Sequence, residues 1–266
     1  MLATLVNIPY AAGGGHKQQL DLYVPAVKGF PTIVWVHGGS LESGDRTDKP
    51  FAEICENFVR AGVGCAKISY RLAPENKWPA MPNDVAAAFA WVKRHIAERG
   101  GDPSRVFLAG HSSGCFLVSI VGTDERYLRA YGLTTRDVAG IVAMGCTLDP
   151  WDIRSRCMSV GEARRHFEAD LEEKKVYRNV EDRIAANPSL YIGKHVPPFL
   201  AMVAETERFH PSILEEAAAF VRKLLDEGGT GDVLVFNDRL HYTLMEGLAK
   251  ADDPAFIAVR KFVLRP

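Results

Sequence analysis

The feature that most constrains the fold is an apolar run that leads directly into the motif Gly-X-Ser-X-Gly. The run Val-Phe-Leu-Ala occupies residues 106–109, and the motif occupies residues 110–114 with Ser112 at its centre. A sharp strand-to-helix turn strains its central residue, and flanking glycines remove the Cβ atoms that would collide there. The same motif also occurs in ordinary tight turns. With the strand before it, we predict that Ser112 is a nucleophile at the carboxyl end of a buried strand.

The rest of the chain alternates strand patterns with helix patterns. Apolar runs at residues 32–36, 64–69 and 106–109 lack polar alternation, which is typical of strands buried on both faces of a parallel sheet. Later strands are predicted at residues 140–144, 199–203 and 232–236, helices at residues 51–59, from Asn83 onward and at 213–227, and an antiparallel pair within residues 1–25. The pattern predicts an α/β fold with a mostly parallel, doubly wound sheet and helices on both faces.

The domain organisation follows from composition along the chain. No linker-like stretch separates two units, so we predict a single domain over residues 1–266. Residues from about 149 to 195 break the alternation, because they are rich in charge and helical in pattern. We interpret this stretch as a helical insertion above the sheet, and favour a solvated decoration slightly over a substrate-shaping cap.

Charge and hydropathy exclude some classes of partner. The formal net charge is −1 and the charged fraction is 24%, so no basic excess attracts a nucleic-acid backbone. No apolar run approaches the roughly 18 residues that span a bilayer, and the N-terminus lacks a basic start followed by an apolar core. We expect a small-molecule substrate, no nucleic-acid or membrane partner, and a cytoplasmic location. Homodimer formation is left open.

Cysteine usage predicts neither disulfides nor a metal site. The five cysteines are an odd number, and none of them form a Cys-X-X-Cys pair. Most are therefore expected to be reduced and buried as small hydrophobic residues. No metal or organic cofactor is expected.

A serine nucleophile needs a base, and His241 is the histidine best placed for that role. It lies between the predicted strand at residues 232–236 and a short helical pattern that follows. The loop after the strand at residues 199–203 contains two carboxylates, Glu205 and Glu207. The chain order serine, acid, histidine is that of a catalytic triad on an α/β sheet.

The tetrahedral intermediate of acyl transfer also needs N–H donors. The sequence His-Gly-Gly-Ser at residues 37–40 directly follows a buried strand, and glycine lets the backbone approach a substrate oxygen. We predict an oxyanion hole formed by the amides of Gly39 and Ser40, with the amide of Ser113 across the pocket. His37 is expected to orient the loop rather than to transfer protons.

Three motifs together resemble a known family. They are His-Gly-Gly-Ser at residues 37–40, Tyr-Arg-Leu-Ala-Pro-Glu at residues 70–75 and Gly-His-Ser-Ser-Gly at residues 110–114. In this combination the chain resembles α/β-hydrolases of the esterase/lipase group, which includes hormone-sensitive-lipase-like esterases and kynurenine-formamidase-like hydrolases. The resemblance covers nearly the whole chain and implies the α/β-hydrolase fold. It also implies that Glu207, counted back from Pro211, is the triad acid. Glu205 lies closer to the strand end, where a loop-bracing role is expected, and stays open as the alternative acid.

The chain departs from the family pattern at positions near the substrate. Ser40 stands where esterases of the group carry a third glycine, and Leu41 stands where formamidases carry tryptophan. Cys115 and Phe116 follow the serine motif where small residues are common. These changes leave the triad intact, but they leave the substrate class open.

The resulting hypothesis is a serine carboxylesterase that acts on small or medium acyl groups through an acyl-enzyme. An arylformamidase acting on N-formylkynurenine or a related amide is the alternative within the same fold. A ligand-binding module that kept the fold and lost the chemistry is the alternative from another class.

Overall fold

The structure, a computed structural model, describes residues 3–148, 175–205 and 213–265. Within these residues eight strands form one sheet in the order β1-β2-β4-β3-β5-β6-β7-β8. The strands are β1 (Ala3–Pro9), β2 (Gln19–Val24), β3 (Phe30–Val36), β4 (Gly64–Ile68), β5 (Gly101–His111), β6 (Ile141–Met144), β7 (Phe199–Ala204) and β8 (Gly231–Phe236). The helices are α1 (Phe51–Arg60), α2 (Ala80–His95), α3 (Ser113–Thr123), α4 (Glu125–Arg129), α5 (Val180–Ala185), α6 (Ile213–Asp226), α7 (His241–Glu246) and α8 (Pro254–Val263).

The predicted sheet is confirmed. Strands β3 to β8 pair in parallel, whereas β1 pairs with β2 and β2 pairs with β4 in antiparallel fashion. All residues of β3 are buried, as expected for a strand covered by helices on both faces. Because parallel strands present their carboxyl ends at one edge, the loops after β3, β5 and β8 meet at that edge.

The hydrophobic core lies on both faces of the sheet. Successive side chains of β5 point to opposite faces, so Val106 and Leu108 join the core that contains α2, α3 and α6. Phe107 and Ala109 join the core that contains α1, α7 and α8. The end of β5 therefore lies between the helix that begins after Ser112 and the helix that begins at His241.

The expectation that most cysteines are reduced is wrong in this structure. Disulfides join Cys55 to Cys65, with Cα atoms 5.2 Å apart, and Cys115 to Cys146, with Cα atoms 5.8 Å apart. Spacing along the chain did not reveal these pairs, because α1 packs on β4 and the first turn of α3 packs beside the end of β6. The fifth cysteine, Cys157, lies outside the described residues.

Most of the predicted insertion also lies outside the described residues, which resume at residue 175. Residues 175–195 contain α5 and a 3-10 turn at Pro188–Tyr191. The insertion and the single domain over residues 1–266 stay predictions. In the described part of the chain, no helix is both long enough and apolar enough to cross a membrane.

Candidate active site

Ser112 occupies a strained turn between β5 and α3. Its backbone has φ 56° and ψ −127°, in the left-handed half of backbone space that L-residues rarely adopt. The turn is held because the Ser112 N–H donates to the carbonyl oxygen of Met144 at 2.9 Å. A Cβ on Gly114 would collide with the carbonyl oxygens of Val36 and His37, so only glycine lets β3 pass this close. The geometry is that of a nucleophile elbow, as the motif predicts.

The loop after β3 folds over the nucleophile through three consecutive left-handed residues. Gly39, Ser40 and Leu41 have φ values of 116°, 57° and 68°. A Cβ on Gly39 would collide with the carbonyl of Ser43, so the loop requires glycine there. The Leu41 N–H donates to Ser113 Oγ at 3.4 Å, which joins the loop to the first turn of α3.

His37 supports this loop from beneath. Its ring stacks on Tyr70 with centroids 4.3 Å apart, and the Tyr70 hydroxyl donates to the His37 carbonyl oxygen at 3.0 Å. Nδ1 lies 2.7 Å from the carbonyl oxygen of Gly38, which only accepts, so Nδ1 carries the proton. Burial lowers the pKa of His37 to about 4. A neutral, buried ring suits the predicted orienting role rather than proton transfer.

His241 begins α7 at the same edge of the sheet. Its backbone carbonyl oxygen lies 2.9 Å from His111 Nε2, and the two imidazole rings have centroids 4.4 Å apart. His111 is only 2% exposed, and burial, with a smaller repulsion from His241, lowers its pKa to about 3. Sequence reasoning missed His111, because it fills a variable position of the serine motif and carries no signal of its own.

The structure describes one of the two candidate acids. Glu207 lies outside the described residues, while Glu205 directly follows β7 and is partly exposed. Because β7 pairs with β8, Glu205 leaves the sheet beside the strand that leads to His241.

A cavity of about 440 Å³ opens above the end of β5, and most of the predicted site residues line it. Ser112, Ser113, Ser40 and His241 line it, whereas Gly39 precedes Ser40 in the loop and is not part of the lining. The other lining residues are Leu41, Phe116, Gly145, Cys146, Thr147, Val176, Tyr177, Arg183 and Ile213. Among the residues that the structure describes, no group of three or more His, Cys, Asp or Glu side chains could hold a metal ion.

A mostly parallel eight-stranded sheet with a serine elbow after β5 and a histidine after β8 defines an α/β-hydrolase. A solved structure, a truncated form of a carbohydrate esterase from gut microbiota, matches it with a TM-score of 0.77 over 98% of this chain and 95% of that chain, at 20% identity. The chain belongs to the BD-FAE family, whose model matches residues 20–217.

Curated relatives confirm the resemblance to esterases that the motifs indicate. Esterase LipC of Mycobacterium tuberculosis is 29% identical over 225 residues, which cover 80% of this chain and 53% of LipC. Esterase LipQ of the same organism is 27% identical over 229 residues, which cover 84% of this chain and 53% of LipQ. The chain thus spans about half the length of the curated relatives it matches.

Proposed function

We propose that the protein is a serine carboxylesterase. The observation that carries this proposal is the convergence of Ser112, on its strained elbow, with His241 and Ser113 around one cavity. A ligand-binding module needs no such elbow. The names of LipC and LipQ, which are esterases, support the same activity.

The proposed reaction uses the predicted residues in these roles. Ser112 Oγ attacks the ester carbonyl carbon while the His241 ring takes its proton, and Glu207 stabilises the imidazolium that forms. His241 then protonates the leaving alcohol as the C–O bond breaks, which leaves an acyl-enzyme. Water, deprotonated by His241, attacks the acyl carbon. The bond between the acyl carbon and Ser112 Oγ then breaks, His241 returns its proton to Oγ, and the carboxylic acid leaves. The amides of Gly39, Ser40 and Ser113 stabilise the oxyanion in both steps.

The cavity supports a small or medium acyl group. Its volume of about 440 Å³ lies toward the lower end of the usual range for small-molecule pockets, about 300–1,000 Å³. Phe116 lies in its wall directly after the elbow and is nearly buried, so it limits the space beside the nucleophile.

Rates on 4-nitrophenyl acetate, butyrate and octanoate, and on N-formylkynurenine, test the proposal. We expect hydrolysis of the acetate and butyrate that Ser112→Ala abolishes, because the change removes the nucleophile and little else. Ser104→Ala, at the opposite and exposed end of β5, is the matched control and should keep full activity. Activity confined to the formamide would make the protein an arylformamidase. The absence of both activities, with no labelling by a fluorophosphonate, would favour the ligand-binding module.

The cytoplasmic location stays a prediction, and the two disulfides weigh against it. Disulfides persist in oxidising compartments and are rare where thioredoxin and glutathione keep thiols reduced. Counting thiols that react with an alkylating agent, in protein quenched directly from cells, tests the location. Free thiols at Cys55, Cys65, Cys115 and Cys146 are expected for a cytoplasmic protein.

A further inference from the structure

His111 is the residue immediately before the nucleophile, and its side chain points away from the substrate cavity. Along β5, Phe107 and Ala109 face the core that contains α1, α7 and α8, and His111 continues this alternation. The ring is buried and lies directly under the first residue of α7.

The contacts of His111 show its tautomer and identify His241 as its hydrogen-bond partner. A backbone carbonyl oxygen can only accept, so the 2.9 Å contact to the His241 oxygen requires a proton on Nε2. The two rings touch at a tilt of 43°, and Tyr242 contacts both of them. Burial lowers the pKa of His111, so its ring stays neutral and does not repel His241 when that ring gains a charge during the reaction.

The segment that carries His241 needs such an anchor. Its neighbours Leu240 and Tyr242 are 58% and 67% exposed, so side-chain packing holds this part of the chain weakly from the solvent side. The helix that follows is only six residues long. The bond from His111 ties this exposed segment to β5, one residue before Ser112.

We propose that His111 is a positioning residue that sets the distance between the nucleophile and its base by holding the His241 backbone from beneath. This inference rests on the proposed function, because it assumes that His241 serves Ser112. Misplacement of a reacting group by about 1 Å can cost about 100-fold in rate. The expected effect of losing the bond is therefore a loss of kcat with KM retained.

Three substitutions separate the hydrogen bond from the ring contact. His111→Phe keeps a ring and removes the donor, and His111→Gln keeps an amide donor at about the reach of Nε2. His111→Asn has the same chemistry as glutamine but falls about one bond short. We expect kcat on 4-nitrophenyl butyrate to fall roughly 10- to 100-fold in the Phe and Asn variants, with KM within about two-fold, and to recover in the Gln variant.

The measurement is kcat per active site, with active sites titrated by a fluorophosphonate so that unfolded protein does not lower the value. His95→Phe is the matched control, because His95 also stacks on an aromatic ring and bonds a backbone carbonyl, both of Trp91, on α2. It should keep full activity. Equal kcat per site in the Gln and Asn variants would overturn the proposal, even if the Phe variant does not fold.

The failure of this proposal and that of the proposed function give different results. His241→Ala should abolish turnover if His241 is the base. Retained turnover in that variant would overturn the catalytic assignment itself. Lost turnover there, together with wild-type kcat in all three His111 variants, would overturn only the positioning role.

Discussion

At the scale of single residues, Glu207 and Glu205 offer a direct test of the triad acid. We expect Glu207→Gln to lower kcat by about 10⁴-fold, as the loss of a triad carboxylate does when the histidine tautomer is no longer held. Glu205→Gln should cost less than about ten-fold, since Glu205 directly follows β7 and is predicted only to brace the loop. The two variants have the same chemistry and differ by two positions. The reverse ranking of kcat on 4-nitrophenyl butyrate would move the acid to Glu205.

Gly39 tests whether the loop after β3 supplies the oxyanion hole. Gly39→Ala introduces a Cβ that collides with Ser43, so the loop amides must move and kcat should fall roughly 10²- to 10³-fold, the usual cost of one lost donor. Gly13→Ala is the matched control, because Gly13 also has a positive φ, 69°, but has open space around it. That variant should lose about 1 kcal/mol of stability and keep its kcat. Similar kcat in both variants would place the oxyanion donors elsewhere.

The sequence predicted the site residues whose roles follow from a short motif or from their position just after a strand. Ser112 sits in a motif, Gly39 follows a buried strand, and His241 follows the last strand. His111 could not be found in this way, because its partner is 130 residues away along the chain and the contact exists only once β5 and α7 meet.

At the scale of elements, the disulfide between Cys115 and Cys146 ties α3 to the segment after β6. Replacing both cysteines by alanine should lower the free energy of unfolding by about 4 kcal/mol, because the bond closes a loop of 31 residues. Replacing Cys55 and Cys65 should cost about 3 kcal/mol, because that loop spans 10 residues. Urea unfolding without reductant measures both. Stability unchanged in both double variants would show that the thiols are reduced in the working protein.

The same two variants also separate stability from substrate binding. Cys146 lines the cavity, so the loss of its disulfide frees one wall, and KM for 4-nitrophenyl butyrate should rise several-fold. The pair at Cys55 and Cys65 lies in the opposite core and should leave KM unchanged. A KM that rises equally in both would indicate a general loosening of the fold.

Element order followed from periodicity because each strand of the parallel sheet is apolar enough to identify alone. The cysteine pairs did not follow, because they depend on which elements pack together. The triad acid and the insertion stay predictions for a different reason, because Glu207 and most of residues 149–195 lie outside the described residues.

At the scale of the whole molecule, lowering the pH should destabilise the fold over a defined range. His37 and His111 have an ordinary pKa of 6.5 and folded pKa values of about 4 and about 3, both lowered chiefly by burial. Between pH 6.5 and 4 the unfolded chain binds protons at these rings and the folded protein does not. The free energy of unfolding therefore falls as pH falls, by up to about 1.4 kcal/mol per pH unit for each ring.

Carboxylates act below this range, which makes the histidine contribution separable. Burial raises the pKa of Asp45, but hydrogen bonds from Lys17 and Thr47 outweigh burial and lower it below the ordinary value of 3.8. The stability that Asp45 contributes is therefore lost only as pH falls below that value. Urea unfolding at steps between pH 7 and 4.5 measures the slope. His111→Gln removes one of the two rings, so the slope should fall by about half in that variant. An unchanged slope would mean that His111 is already protonated in the folded protein, and that burial does not keep its ring neutral.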